Sequence, residues 1–167
     1  MIKDKEVDEW SEKVKWERLT AEDKKFLIEE ANLSHKESIN SCESLDTKAL
    51  VILVICVLSI LVISILTLGD IENYGFPVSL LLIPLALSLG SAFWALMTTE
   101  YISQGNSPMN HLQEGCSDLI LESSIVSKQY YIRVNENLNS MKGGKINFAM
   151  IMLYISISIF PLACLYY

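Results

Sequence analysis

Charged positions vanish from this chain in three places. Ala49–Gly69, Asn73–Thr99 and Ile146–Tyr167 contain no Asp, Glu, Lys or Arg. Each run is about 20 residues or longer, which at ~1.5 Å of rise per residue spans a ~30 Å hydrocarbon core. The pattern predicts an all-α membrane protein of three transmembrane helices with long cytoplasmic helical extensions. The expected divisions are a cytoplasmic N-terminal stalk over 1–48, spans over 49–69, 77–99 and 146–167, a short external loop over 70–76, and a cytoplasmic loop with an amphipathic helix over 100–145. The first run starts too deep in the chain, and is too long, for a cleavable signal core.

Outside the runs the spacing changes. Val7, Trp10 and Val14 recur at intervals of three and four among charges, which predicts an amphipathic helix within Lys3–Leu19. Trp10 and Trp16 suit either a membrane surface or a protein contact, and the acidic polar face favours the protein contact. Thr20 followed by Asp23 is a variant of the capping box and restarts a helix. No Gly or Pro then intervenes between Ala21 and Gly69, so a single helix of about 70 Å is expected to run as a stalk into the first span. Ser34, Ser38, Ser41 and Ser44 form a narrow stripe on it, either a solvated face or a close contact between helices.

Beyond the turn-like Gln104-Gly105-Asn106-Ser107-Pro108, a second cytoplasmic helix is expected. Leu119, Val126, Tyr130, Val134, Leu138 and Met141, with Leu121, Ile125 and Ile132 alongside, give it a broad apolar face that needs a partner in the same or another subunit. Gly143-Gly144 is expected to break this helix and act as a hinge before the third span.

Inside the spans the informative residues are small or imino. Pro77 suits a first helical position, and Pro84 and Pro161 should each kink a helix. Ala86 and Gly90 form a small-xxx-small pair and are the candidate face for tight helix packing. Ser59, Ser64, Thr67, Ser88 and Ser91 either line a path enclosed by several copies or serve as ordinary packing residues. Asp70 and Glu72 are the only charges between the first two spans. Repeated around an oligomer they would place a ring of carboxylates at an outer mouth; alone they solvate a loop.

Charge orients the spans. All 13 basic residues fall within 1–48 or 100–145, so the positive-inside rule puts both segments in the cytoplasm and the C-terminus outside. The net charge of −7 does not oppose this, because acidic residues contribute little to topology. Residues 1–48 carry more acidic than basic side chains, which argues against nucleic-acid binding. The four cysteines form no C-x-x-C pair, and Cys56 and Cys164 read as small packing residues. His35 and His111 are isolated, with no metal-ligand spacing and no phosphate-binding loop nearby. No enzyme activity, metal or cofactor is expected. Charge-coupled transport lacks the intramembrane ionisable groups it normally uses.

Where the polar helix enters the first span, Ser44-Leu45-Asp46-Thr47-Lys48-Ala49-Leu50 resembles small membrane effectors of bacterial antiphage systems of the Pycsar and CBASS kind. Tyr131-Ile132-Arg133-Val134-Asn135-Glu136-Asn137, ahead of the last span, is similar to them too. The resemblance covers about a third of the chain. It implies a homo-oligomer in the bacterial inner membrane that disrupts the bilayer when a phage is sensed. The chain departs from that pattern in having no appended nucleotide-sensing domain, so the signal is expected to arrive through the helices or a soluble cytoplasmic regulatory protein rather than a directly bound nucleotide. Two functions stay open. One is an oligomeric, channel-forming or permeabilising effector gated through its cytoplasmic helices, with membrane lipid and its own copies as partners. The other is a noncatalytic membrane anchor or assembly subunit for a soluble partner.

Overall fold

A computed structural model describes the backbone of residues 5–67, 71–98 and 117–165, and the side chains of 6–65, 80–98 and 121–161. Among the described residues every regular element is helical. Helix α1 (Lys5–Lys13) is followed by a 3-10 turn (Trp16–Arg18), then α2 (Ala21–Thr67), α3 (Ile71–Met97) and α4 (Ser117–Leu165). Three of these helices are long and apolar enough to cross a membrane. The chain divides into two units, Met1–Cys42 with Glu100–Asn137, and Glu43–Thr99 with Leu138–Tyr167.

In the first unit, the local chemistry sets where helices begin. The Thr20 amide and hydroxyl donate to Asp23 Oδ2 at 2.9 and 2.7 Å, and Thr20 Oγ1 accepts from the Asp23 amide at 3.2 Å. This reciprocal cap satisfies amides that the first helical turn leaves without partners. The two donations from Thr20 hold the Asp23 carboxyl below the usual carboxylate range, the hydroxyl contributing most. Trp16 donates its indole N–H to the Ser11 carbonyl at 3.0 Å and meets Trp10 edge-on at 6.0 Å between centroids. The tryptophans therefore engage each other, while Val7 of α1 is buried.

The interior of this unit is partly polar. Ala31, His35, Ser38 and Cys42 of α2 are buried, as are Ile125, Ile132 and Asn135 of α4. Their spacings of three, four and seven trace the narrow seam of a left-handed helix pair. The serine stripe does not form a shared face: Ser38 is buried, while Ser34, Ser41 and Ser44 are exposed. On α4, Val126, Tyr130 and Val134 are only half-buried and flank the seam. Apolarity alone misplaced that face because the seam includes an asparagine.

The second unit packs the charge-free segments. Ala49, Ile52, Cys56 and Ile63 of α2 meet Leu81, Leu85, Ala92 and Ala95 of α3 and Ile146 and Ala149 of α4 in one core. Small residues at Ala49, Cys56, Ala92, Ala95 and Ala149 let the backbones approach closely, as membrane helices require. The outer surface is apolar as well. Leu58, Leu61, Val62 and Ile65 of α2, Phe93 and Met97 of α3, and Ile151 and Ile157 of α4 are all exposed. In water each would carry an exposure cost of about 1.5–3 kcal/mol relative to an apolar surround; lipid removes it.

Two boundaries differ from the sequence expectation. Helix α3 begins at Ile71, so Pro77 stands at its seventh position and most of the 70–76 segment is helical. The stretch Ile71-Glu72-Asn73-Tyr74 holds no strong helix breaker, and Glu72 in the first turn suits the helix dipole. Helix α4 passes through Gly143-Gly144 without a break. A glycine costs about 1 kcal/mol relative to alanine in a helix, and polar contacts from the adjacent Lys142 and Lys145 outweigh that preference. Ala86 and Gly90 are exposed within the chain; the face of α3 that packs internally is Leu81, Leu85, Ser88, Ala92 and Ala95, whose spacing of four, three, four and three fixes a different side of the helix.

Candidate functional site

The second unit concentrates its polar contacts at two levels of the three-helix bundle. At the deeper level, Ser88 of α3 is fully buried and donates its hydroxyl to the Ala149 carbonyl of α4 at 2.7 Å. The Cys56 thiol of α2 donates in turn to Ser88 Oγ at 3.3 Å. One hydroxyl thus joins all three helices, and its environment is packed side chain. Three residues on, Ser91 donates to the Lys145 carbonyl at 2.9 Å. Interhelical bonds of this kind contribute about 0.6 kcal/mol each in a membrane.

At the second level, near the charged ends of the apolar runs, two lysines of α4 behave differently. Lys142 is 1 % exposed and its ammonium lies 2.8 Å from Asp46 Oδ1 of α2. Lys145 donates to Thr98 Oγ1 at 2.9 Å, and its ammonium stands 4.8 Å from the centroid of Trp94, close enough for attraction to the ring face. These two lysines flank Gly143-Gly144 on a continuous helix. The glycines themselves face open space: a Cβ at either would meet no neighbour within 4 Å.

The candidate pore residues fall into separate environments. Ser88 and Ser91 are engaged between helices, as above. Ser64 is exposed and donates to the Ile60 carbonyl of its own helix at 2.8 Å. Ser59 lines a groove of 380 Å³ with Ser156 and apolar neighbours including Ile63, Leu85 and Phe160. Asp70 lies outside the described residues, and Thr67 and Glu72 have helical backbones but side chains outside those described. His111, Cys116, the 104–108 turn and the Cys164 side chain also lie outside them.

His35 is buried at 2 % exposure with its ring centroid 6.1 Å from that of Tyr131. Among the described residues no group of His, Cys, Asp or Glu is arranged to hold a metal ion. Sequence reasoning missed the Asp46–Lys142 pair and the Lys145–Trp94–Thr98 cluster. The available signal was positional: Lys142 continues the row Ile132, Asn135, Ile146 and Ala149, whose spacing marks the buried side of α4.

The chain matches no protein-family model, no curated protein and no solved structure.

Proposed function

We propose that this chain is a noncatalytic membrane effector that assembles with its own copies and permeabilises the bilayer, under the control of its charged helical segments. The observation that carries the proposal is helix continuity. α2 and α4 each join a charged half to a charge-free half in one uninterrupted helix of 47 and 49 residues. A rotation or shift imposed on the charged half of such a helix is carried into the apolar half, since a helix transmits displacement along its axis. The exposed apolar side chains Leu58, Leu61, Val62 and Ile65 of α2 offer a surface on which further copies can pack.

Because Ser88 and Ser91 bond to carbonyls inside the bundle, an aqueous path in this reading lies between copies, with Ser59 and Ser64 as candidate polar lining. The positive-inside rule gives the orientation: charged segments in the cytoplasm and the C-terminus outside. The resemblance to antiphage effectors supplies the setting, a bacterial inner membrane, and a trigger reaching the cytoplasmic helices.

The same engaged serines favour a second reading, a membrane anchor for a soluble partner. Flux of ions from liposomes carrying the purified chain separates the two. The effector reading expects leakage; the anchor reading expects sealed vesicles and a co-purifying soluble protein.

A further inference from the structure

On one side of the second unit, α3 and α4 leave an open groove of 680 Å³. Leu87, Gly90 and Trp94 form one wall, Gly144 and Phe148 the other, and among the described residues Lys145 is the only charged side chain lining it. The glycines give it depth, since neither position would bring a Cβ within 4 Å of a neighbour. Leu87, Trp94 and Phe148 are 49 %, 65 % and 44 % exposed, so an apolar slot stands open.

The lysine at its rim is distinctive. Lys142 is matched by Asp46, whereas the contacts of Lys145 are the Thr98 hydroxyl and the Trp94 ring, neither of which neutralises its charge. Its ammonium has three donors, and one is used by Thr98. Lys145 is also the last charged residue before the run Ile146–Tyr167, the depth at which headgroups meet hydrocarbon and where lysine and tryptophan anchor membrane helices.

We propose that this groove binds one anionic phospholipid, its phosphate at the Lys145 ammonium and an acyl chain laid against Trp94 and Phe148. The occupant is specified by two complementary features, a cation with spare donors and no carboxylate partner among the described residues, and an apolar slot beside it. A zwitterionic lipid fills the slot equally well but brings its own cation to the rim. One lysine near the surface corresponds to an enrichment of about fivefold for anionic lipid.

Trp94 reports on the groove directly. With Trp10→Phe and Trp16→Phe it becomes the only tryptophan of the full chain, and bromine atoms on lipid chains quench it on contact. In phosphatidylcholine vesicles holding a fixed minor fraction of brominated lipid, brominated phosphatidylglycerol is expected to quench Trp94 as though enriched about fivefold over brominated phosphatidylcholine. Lys145→Gln should abolish that preference, while Lys145→Arg and Lys48→Gln should keep it. Equal quenching by the two lipids, or a preference that survives Lys145→Gln, overturns the proposal. So does a Trp94 shielded from both lipids, which would mean that a second copy occupies the groove. If the double tryptophan variant does not fold, native mass spectrometry of the unaltered chain decides: phosphatidylglycerol retained through detergent exchange and lost in Lys145→Gln supports the site, and no retention overturns it.

Discussion

The Lys142 ammonium lies 2.8 Å from Asp46 Oδ1 with the lysine side chain 1 % and the aspartate side chain 25 % exposed, so a buried cation meets a partly exposed carboxylate where α4 meets α2 beside two charge-free segments. Removing one partner of such a pair is far more damaging than replacing both, because a buried charge without its counter-ion is expensive. Asp46→Ala is expected to destabilise the bundle by about 1–3 kcal/mol, a fall in Tm on the order of 5 °C for a chain of this size. Asp46→Ala combined with Lys142→Met should recover most of the loss. Thermal melts of the detergent-solubilised chain, followed by circular dichroism, check the order of the three proteins.

Asn135 gives the opposite sign. It is fully buried, its amide nitrogen makes one long bond of 3.4 Å to Ser38 Oγ, and its Oδ1 has no hydrogen-bond partner. An unsatisfied buried acceptor costs about 1–3 kcal/mol, so Asn135→Leu is expected to raise Tm and Asn135→Ala, which leaves a cavity, to lower it. A matched fall in both would show that the amide contributes more than its visible contact.

The Thr20–Asp23 cap predicts a pH dependence of defined sign. Donation from Thr20 lowers the folded carboxyl pKa below its unfolded value of about 3.9. Its stabilisation is therefore fully present above the unfolded value and disappears as pH falls through the folded one. The stability difference between the native chain and Asp23→Asn should be constant from neutral pH down to about pH 5 and should close on further acidification. Denaturant melts across that range measure it, and a difference that widens in acid would contradict the assignment.

The glycine pair separates stability from activity. Since a methyl group at Gly143 or Gly144 meets open space, the double change to alanine should stabilise α4 by about 1 kcal/mol per site. A stabilised protein that still assembles but no longer leaks would mark the pair as the point where α4 flexes. Unchanged leakage would assign the glycines to groove shape alone.

How far the sequence carried depended on which force dominated at each residue. Charge-free runs and the absence of Gly or Pro between Ala21 and Gly69 made the long helix and the three spans legible, because hydropathy and backbone propensity act locally. The Thr20–Asp23 cap was legible for the same reason. Gly143-Gly144 was misread as a break since its local penalty of about 1 kcal/mol per residue is smaller than the tertiary contacts of Lys142 and Lys145 around it. Lys142 escaped notice entirely: a lysine next to an apolar run reads as a headgroup anchor, and only its register with Ile146 and Ala149 places it inside.

Copies of this chain are proposed to open a path through the bilayer. Purified full-length protein should be reconstituted into liposomes loaded with a self-quenching dye and a potassium gradient, and flux recorded as protein per vesicle increases. The expected result is leakage that rises more steeply than the first power of protein concentration, as assembly requires, and that Ser88→Ala lowers only through a modest loss of bundle stability. Vesicles that stay sealed at every density, from protein shown to be folded and inserted, would contradict it.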